Sequence, residues 1–520
     1  MEQPKVALLI LDGFGITSET NGNAVLSAPT PFFDDLFKSY PKALLKASSE
    51  EVGLPWGEFG NSEVGHTTIG LGRVIIQDLP QIDKAIKSES IITKPAFAKL
   101  IEKIKAGAVC NFVCLASDGA VHGRIRHMEG LVALINKQIP DAKIRLHLIS
   151  DGRDVAEKSI ENYLKEIRER LPKAEIASLM GRYFAMDRDK NWDRIQVAYD
   201  AIVGNGRRAN SVEEVVESSY AQNITDEFIE PVMLSDAKIN LEKDVVILTN
   251  FRSDRAMQIT RAFIDPSLSD VKREALCSNF IAMTTYDDNL PMEVFFSNLD
   301  LNNPEVNSVE NPLSKIISEG NMKQFHVAES EKFAHVTYFM AGGIREDFAG
   351  QENKFFDSAK VPSYDRFPQM RAYEISSEII NASSKGYNFI VANFANGDMV
   401  GHAGNFAAAQ KAVTILDDSV SKCFNTLIQD GYDVFITSDH GNCDEMINLK
   451  SGKPNKEHSL SPVPFVYSNS QNKSSYSDIF SLADSEPIGI LADIAPTITD
   501  SLGLTNSPEM TGVNLKDSLT

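Results

Sequence analysis

Seven short segments rich in Val, Ile, Leu and Phe run along the chain, and each stops abruptly at polar or glycine residues. They are 6–11, 112–116, 144–149, 176–179, 245–249, 389–393 and 434–437. In order, they lead into Asp12-Gly13, Ser117-Asp118-Gly119, Ser150-Asp151-Gly152-Arg153-Asp154, Gly181-Arg182, Asn250-Phe251-Arg252, Asn396-Gly397-Asp398 and Ser438-Asp439-His440-Gly441. Continuous apolar runs of this length read as strands buried on both faces. Between them lies helical periodicity, as over 406–427, where Val413, Leu416, Val420, Phe424 and Leu427 recur at three and four. Alternating strand and helix predicts an α/β fold. In open α/β sheets ligands bind beyond the carboxyl ends of the strands, where this sequence keeps its polar chemistry. For any single segment, Asp and Gly making a turn would explain as much.

Two breaks interrupt the alternation. Residues 300–311, DLNNPEVNSVEN, are dense in Asn, Pro and acid without periodicity, and near 73–80 a glycine-rich stretch gives way to a helical pattern. About 225 residues lie between them, which predicts one domain inserted in another, 77–307 within 1–76 and 308–520. The charge balance is 51 − 72 = −21. An anionic excess of that size repels nucleic acid and anionic lipid, so any phosphorylated partner must be held by a local cationic cluster working against the overall field. The cysteines, Cys110, Cys114, Cys277, Cys423 and Cys443, are too irregularly spaced for a disulfide scaffold or zinc knuckle. Neither a signal-peptide pattern nor a run of about 18 apolar residues is present, and a cytoplasmic location is expected. No self-complementary apolar face is evident, so a monomer is expected.

Asp and His recur together at the strand ends. Asp398 and His402 are four apart, close enough for one turn to aim both at a common ion. Asp439 and His440 are adjacent, free to serve one metal or two, while His458 follows in Glu457-His458-Ser459 and Asp12 ends the first segment. Mixed carboxylate and imidazole ligands without thiolates suit Mn²⁺, Zn²⁺, Co²⁺ or Fe better than Ca²⁺ or a structural zinc. In Gly60-Asn61-Ser62-Glu63-Val64-Gly65-His66, a serine stands in a glycine-bounded turn opening a helix. Ser62 is either a capping residue or a nucleophile that needs a base or metal to ionise it.

These motifs, in this order, resemble the cofactor-independent phosphoglycerate mutases, members of the alkaline phosphatase superfamily. The resemblance rests on Leu11-Asp12-Gly13-Phe14-Gly15, the 60–66 segment, 150–154, 396–402 and Ser438-Asp439-His440-Gly441-Asn442, and spans essentially the whole chain. Leu460-Ser461 before Pro462 departs from the family pattern. The resemblance implies an alkaline-phosphatase-like metal domain with a second α/β domain inserted into it. It implies one ion on Asp398, His402 and His458 and another on Asp12, Ser62, Asp439 and His440, with Mn²⁺ first and Co²⁺, Zn²⁺ or Mg²⁺ as alternatives. It further implies that His122, Arg153, Asp154, Arg182, Arg188, Arg252, Arg255 and Lys332 bind phosphoglycerate. Arginine forks match a substrate with one carboxylate and one phosphate.

The implied reaction transfers the phosphate of 3-phosphoglycerate to Ser62 and then to the other glycerate hydroxyl. It uses no 2,3-bisphosphoglycerate, with Asp154 and His122 handling protons and the inserted domain closing out water. A metal-dependent phosphohydrolase or phosphopentomutase of the same superfamily is the nearest alternative, and a non-catalytic phosphometabolite sensor the next.

Overall fold

The computed structural model describes residues 3–236, 238–297 and 310–519. The chain divides into two compact units, one formed by Met1–Gln77 with Asn303–Thr520 and the other by Asp78–Asn302. Most of the expected linker at 300–311, and the expected boundary at 307/308, lie outside the described residues.

The first unit is built on an eight-stranded sheet in the order Gln351–Phe356, Gln324–Glu329, Phe389–Phe394, Val6–Leu11, Asp433–Thr437, Val463–Ser468, Lys42–Lys46 and Gly489–Ile490. The first five strands are parallel, and Val463–Ser468 runs antiparallel to both its neighbours. Successive side chains of a strand point to opposite faces. Ala7, Leu9 and Leu11 pack on one side with the helix Phe406–Gln429, while Val6, Leu8 and Ile10 pack on the other with Ile494 and Ile498. Because both faces are covered, the strand reads as one unbroken apolar run.

The second unit repeats this logic with seven strands, in the order Val232–Met233, Glu175–Gly181, Ile144–Ser150, Cys110–Leu115, Val245–Leu248, Phe280–Thr284 and Glu293–Phe296. All pairings are parallel except that of Val232–Met233. Phe112 and Cys114 face one core and Val113 and Leu115 the other. Among the described residues no helix is long and apolar enough to cross a membrane.

Candidate active site

In the first unit, four neighbouring parallel strands deliver their chemistry at the same edge. Asp12 directly follows Val6–Leu11, Asp439 and His440 follow Asp433–Thr437, Asp398 follows Phe389–Phe394, and Lys332 follows Gln324–Glu329. This is the carboxyl end of the sheet, where helices and loops leave room for a ligand. The loops close on one another through glycine. A Cβ on Gly13, whose φ is +76°, would lie 2.7 Å from the Asp398 amide, and one on Gly65 would lie 2.6 Å from the Asp439 carbonyl oxygen. Neither approach tolerates a side chain without backbone movement.

Ser62 is the first residue of the helix Ser62–Leu71, but it does not cap it. Asn61 does, its side chain accepting from the Val64 N–H at 3.0 Å, which leaves the serine hydroxyl to face the cluster. Ser62 Oγ lies 2.9 Å from His440 Nε2, 3.3 Å from Asp12 Oδ1 and 2.6 Å from Lys332 Nζ. The lysine ammonium also reaches Asp12 Oδ1 at 2.7 Å and Asp398 Oδ2 at 2.6 Å, so it bridges carboxylates from both clusters. The resemblance groups Lys332 with the substrate arginines but takes it from the outer domain. The structure sets it beside Ser62, in the first unit.

Among the described residues, two groups could each hold a cation: Asp398, His402 and His458, and Asp12, Asp439 and His440. Asp439 and His440, which could serve separate ions, fall in the same set. The tautomers support the assignment. His402 Nδ1 faces the Lys456 carbonyl and His458 Nδ1 the Gly60 carbonyl, each at 2.7 Å, so both Nδ1 atoms carry the proton and donate it. Their Nε2 lone pairs then stand 3.0 Å apart, and each lies 3.1–3.2 Å from Asp398 Oδ1. Three acceptors meeting without a proton repel one another unless a cation, or a proton taken up by a histidine, sits among them. The hydrogen bond to Asp398 accordingly holds His402 above the usual histidine value.

In the other set, Asp439 Oδ2 is buried with no hydrogen-bond partner. Burial, and then the neighbouring Asp439 charge, push Asp12 above the usual carboxyl range despite Lys332. Three buried carboxylates against one ammonium leave an anionic excess that divalent cations would neutralise, and the oxygen and imidazole donors fit such ions. Cys443 is buried behind this cluster, its thiol donating to the Gly13 carbonyl at 3.2 Å, and it packs rather than ligates.

The second unit gathers charge at its own carboxyl edge. Arg182 follows Glu175–Gly181, Asp151 to Asp154 follow Ile144–Ser150, His122 lies beyond Cys110–Leu115, and Arg252 and Arg255 lie beyond Val245–Leu248. Arg182 is buried and spans Asp151 Oδ1 and Asp154 Oδ2, each at 2.6 Å. Burial works against the Asp151 carboxylate, but bonds from Ser117, the Asp154 N–H and Arg182 outweigh it and keep the group ionised. His122 Nδ1 stands 3.3 Å from Asp254 Oδ1, and burial, then the Arg182 charge, hold the ring below the usual histidine value, so it is neutral near pH 7.

Arg188 and Arg252 reach Asp254 at 3.2 and 3.1 Å, Arg153 reaches Glu227 at 3.3 Å, and Arg255 donates to the Met186 carbonyl at 3.1 Å. Burial, followed by the charges of Arg188, Arg182 and Arg153, lowers Arg255 from the ordinary guanidinium value. Guanidinium groups close enough to destabilise one another have the charge and the donors to hold a small polyanion.

The sequence counts His66 with His402, His440 and His458 in glycine- or acid-flanked strand-end contexts, but it gives no role to Asn393 or Asn442. Asn442 Nδ2 donates to Asp398 Oδ1 at 2.9 Å, and Asn393 Nδ2 to Asp12 Oδ2 at 2.7 Å. The available signal was their type: amides at or just beyond the ends of apolar strands, where a buried amide needs a partner.

A family model described as BPG-independent PGAM N-terminus matches residues 82–288. The 2,3-bisphosphoglycerate-independent phosphoglycerate mutase of Clostridium botulinum (strain Langeland) is 41% identical, across 99% of this chain and 100% of the relative. That of Clostridium tetani is 42% identical, across 99% of each chain. A crystal structure of Leishmania mexicana phosphoglycerate mutase at low cobalt concentration is similar with a TM-score of 0.59 and 28% identity, covering 99% of this chain and 98% of the other. Fold and relatives together define the class, an α/β phosphoglycerate mutase. Within that class, the chain belongs to the 2,3-bisphosphoglycerate-independent phosphoglycerate mutases.

Proposed function

We propose that the chain interconverts 3-phosphoglycerate and 2-phosphoglycerate through a phosphoserine on Ser62, depends on divalent metal, Mn²⁺ first, and needs no 2,3-bisphosphoglycerate. The observation that carries this is the Ser62 hydroxyl, released from capping by Asn61 and set among Asp12, His440 and Lys332. Held by Asp398, His402 and His458 and by Asp12, Ser62, Asp439 and His440, two divalent ions would supply positive charge that favours serine ionisation and offsets charge on the transferring phosphoryl group.

The chain's own residues do the rest. Lys332 Nζ donates to Ser62 Oγ and so favours the oxygen once its proton has left. Ser62 opens the ten-residue helix Ser62–Leu71, whose positive N-terminal end suits a phosphoester. Ser62 Oγ forms the new P–O bond while the substrate's own P–O bond breaks, leaving glycerate. The bond then re-forms to the other glycerate hydroxyl, and Ser62 is restored. The second unit, 78–302, is assigned to substrate. Its arginines hold glycerate through the intermediate, so that water does not take the phosphoryl group. Asp154, tied to Arg182, exchanges the proton at the glycerate hydroxyls, and neutral His122 orients them. The reading is completed by a cytoplasmic monomer with a small-molecule substrate and no nucleic-acid or membrane partner, in keeping with a net charge of −21.

Ser62→Ala is expected to abolish both isomerisation and the labelling of protein by phosphate from substrate. Persistent labelling of that variant would remove Ser62 from the reaction.

A further inference from the structure

Asn393 sits one residue from the end of the strand Phe389–Phe394, opposite Ile10 in the central strand, and is fully buried. A valine or isoleucine would suit that position better, because a buried amide costs free energy unless it is hydrogen-bonded. Its hydrogen bonds all run one way. Nδ2 donates one proton to Asp12 Oδ2 at 2.7 Å and the other to His66 Nε2 at 3.1 Å, while Oδ1 is buried with no hydrogen-bond partner.

That arrangement fixes the histidine. His66 is fully buried one helical turn beyond Ser62; its Nε2 accepts, so its proton is on Nδ1, which donates to the Ser62 carbonyl at 2.8 Å. The same Nδ1 lies 3.2 Å from Asp439 Oδ2. The opposite amide orientation would set an oxygen against the Asp12 carboxylate and is excluded on charge. The consequence falls on Asp12. With Oδ2 tied to Asn393, Oδ1 is the oxygen left facing Ser62 and Lys332.

We infer that Asn393 and His66 are positioning residues of the Asp12–Asp439–His440 cluster. Their hydrogen-bonded relay from Asp12 to the Ser62 backbone selects the oxygen Asp12 presents and raises the cluster's affinity for a divalent cation that neither residue touches. This rests on the two-metal reading above. Partners that orient metal ligands typically govern affinity by about 10- to 100-fold.

The test is a calorimetric titration of Mn²⁺ into chelator-stripped protein, with the melting temperature of each metal-free variant recorded alongside. Wild type is expected to bind two Mn²⁺. Asn393→Leu should weaken one of the two by about 10- to 100-fold and leave the other unchanged. His66→Leu should do the same, while His66→Gln, whose amide offers one acceptor and one donor, should keep the wild-type affinity. The histidine pair also decides the matter if Asn393→Leu does not fold. Two sites within about twofold of wild type in the leucine variants, equal weakening of both sites, or His66→Gln binding as poorly as His66→Leu would overturn the relay. Fewer than two Mn²⁺ on wild type would instead overturn the two-metal reading, and the relay with it.

Discussion

Lys332→Met tests whether the ammonium stands in for cationic charge at the centre of the first unit. Lys332 is almost fully buried, and its Nζ lies 2.7 Å from Asp12 and 2.6 Å from Asp398. At an effective dielectric constant near 20, each contact is worth roughly 6 kcal/mol before the cost of dehydrating the ammonium. Removing one partner of a buried ion pair has a net cost of about 3–5 kcal/mol, because the other charge stays behind unpaired. Burial opposes the lysine charge, but Asp12, Asp398 and Asp439 outweigh it and raise its pKa above the ordinary lysine value. By linkage this contribution is complete below about pH 10 and disappears only as strongly alkaline pH passes the folded-state value.

Metal-free Lys332→Met should therefore lose about 3–5 kcal/mol at pH 7. In saturating Mn²⁺ the loss should shrink, since divalent charge can neutralise the same carboxylates. A difference of about 3 kcal/mol between the two penalties corresponds to roughly two decades of tighter Mn²⁺ binding by the variant. The assay is denaturant unfolding of wild type and variant, each with chelator and with Mn²⁺. An equal loss under both conditions, or no loss without metal, would refute the reasoning.

Two further outcomes are expected. Glu129 is buried beside Arg126 and Arg170, and burial, against the pull of Arg126, holds its carboxyl up to about 7. Between the ordinary glutamate value and that pH the folded chain keeps a proton the unfolded chain has released, so stability should fall as pH rises through the window and level off above it. Glu129→Gln should flatten that slope in denaturant titrations at several pH values, and an unchanged slope would remove Glu129 as its source. All five cysteines are buried, and burial raises every thiol, those of Cys114 and Cys423 to about 12. A disulfide reagent should therefore find no fast-reacting thiol in the native chain and five after denaturation; rapid modification of Cys443 would contradict its packing role.

The strands visible in the sequence are those buried on both faces by apolar side chains, such as Val6–Leu11 and Val245–Leu248. Gln324–Glu329 escaped notice because Gln324, His326 and Glu329 are polar yet buried. Gln324 donates to the Ser314 carbonyl at 2.7 Å and His326 Nδ1 to that of Val336 at 2.6 Å, bonds that hydropathy does not record. Gln351–Phe356 is an edge strand with no fully buried residue, and even Phe355 is exposed. Val463–Ser468 contains Pro464, and proline counts against a central strand.

At the site, ligand types and their strand-end positions were legible because they lie within short motifs. The relay through Asn393 and His66 was not, since it joins positions 327 residues apart in sequence. Nor was Lys332's place beside Ser62, which depends on Gln324–Glu329 pairing beside Phe389–Phe394.

The most direct measurement is conversion of 3-phosphoglycerate to 2-phosphoglycerate by the purified protein without 2,3-bisphosphoglycerate, as prepared, after chelation, and after Mn²⁺ is restored. Isomerisation that stops on chelation and returns with Mn²⁺, with no free phosphate released, is the expected result. Free phosphate in place of 2-phosphoglycerate, or turnover indifferent to chelation, would contradict it.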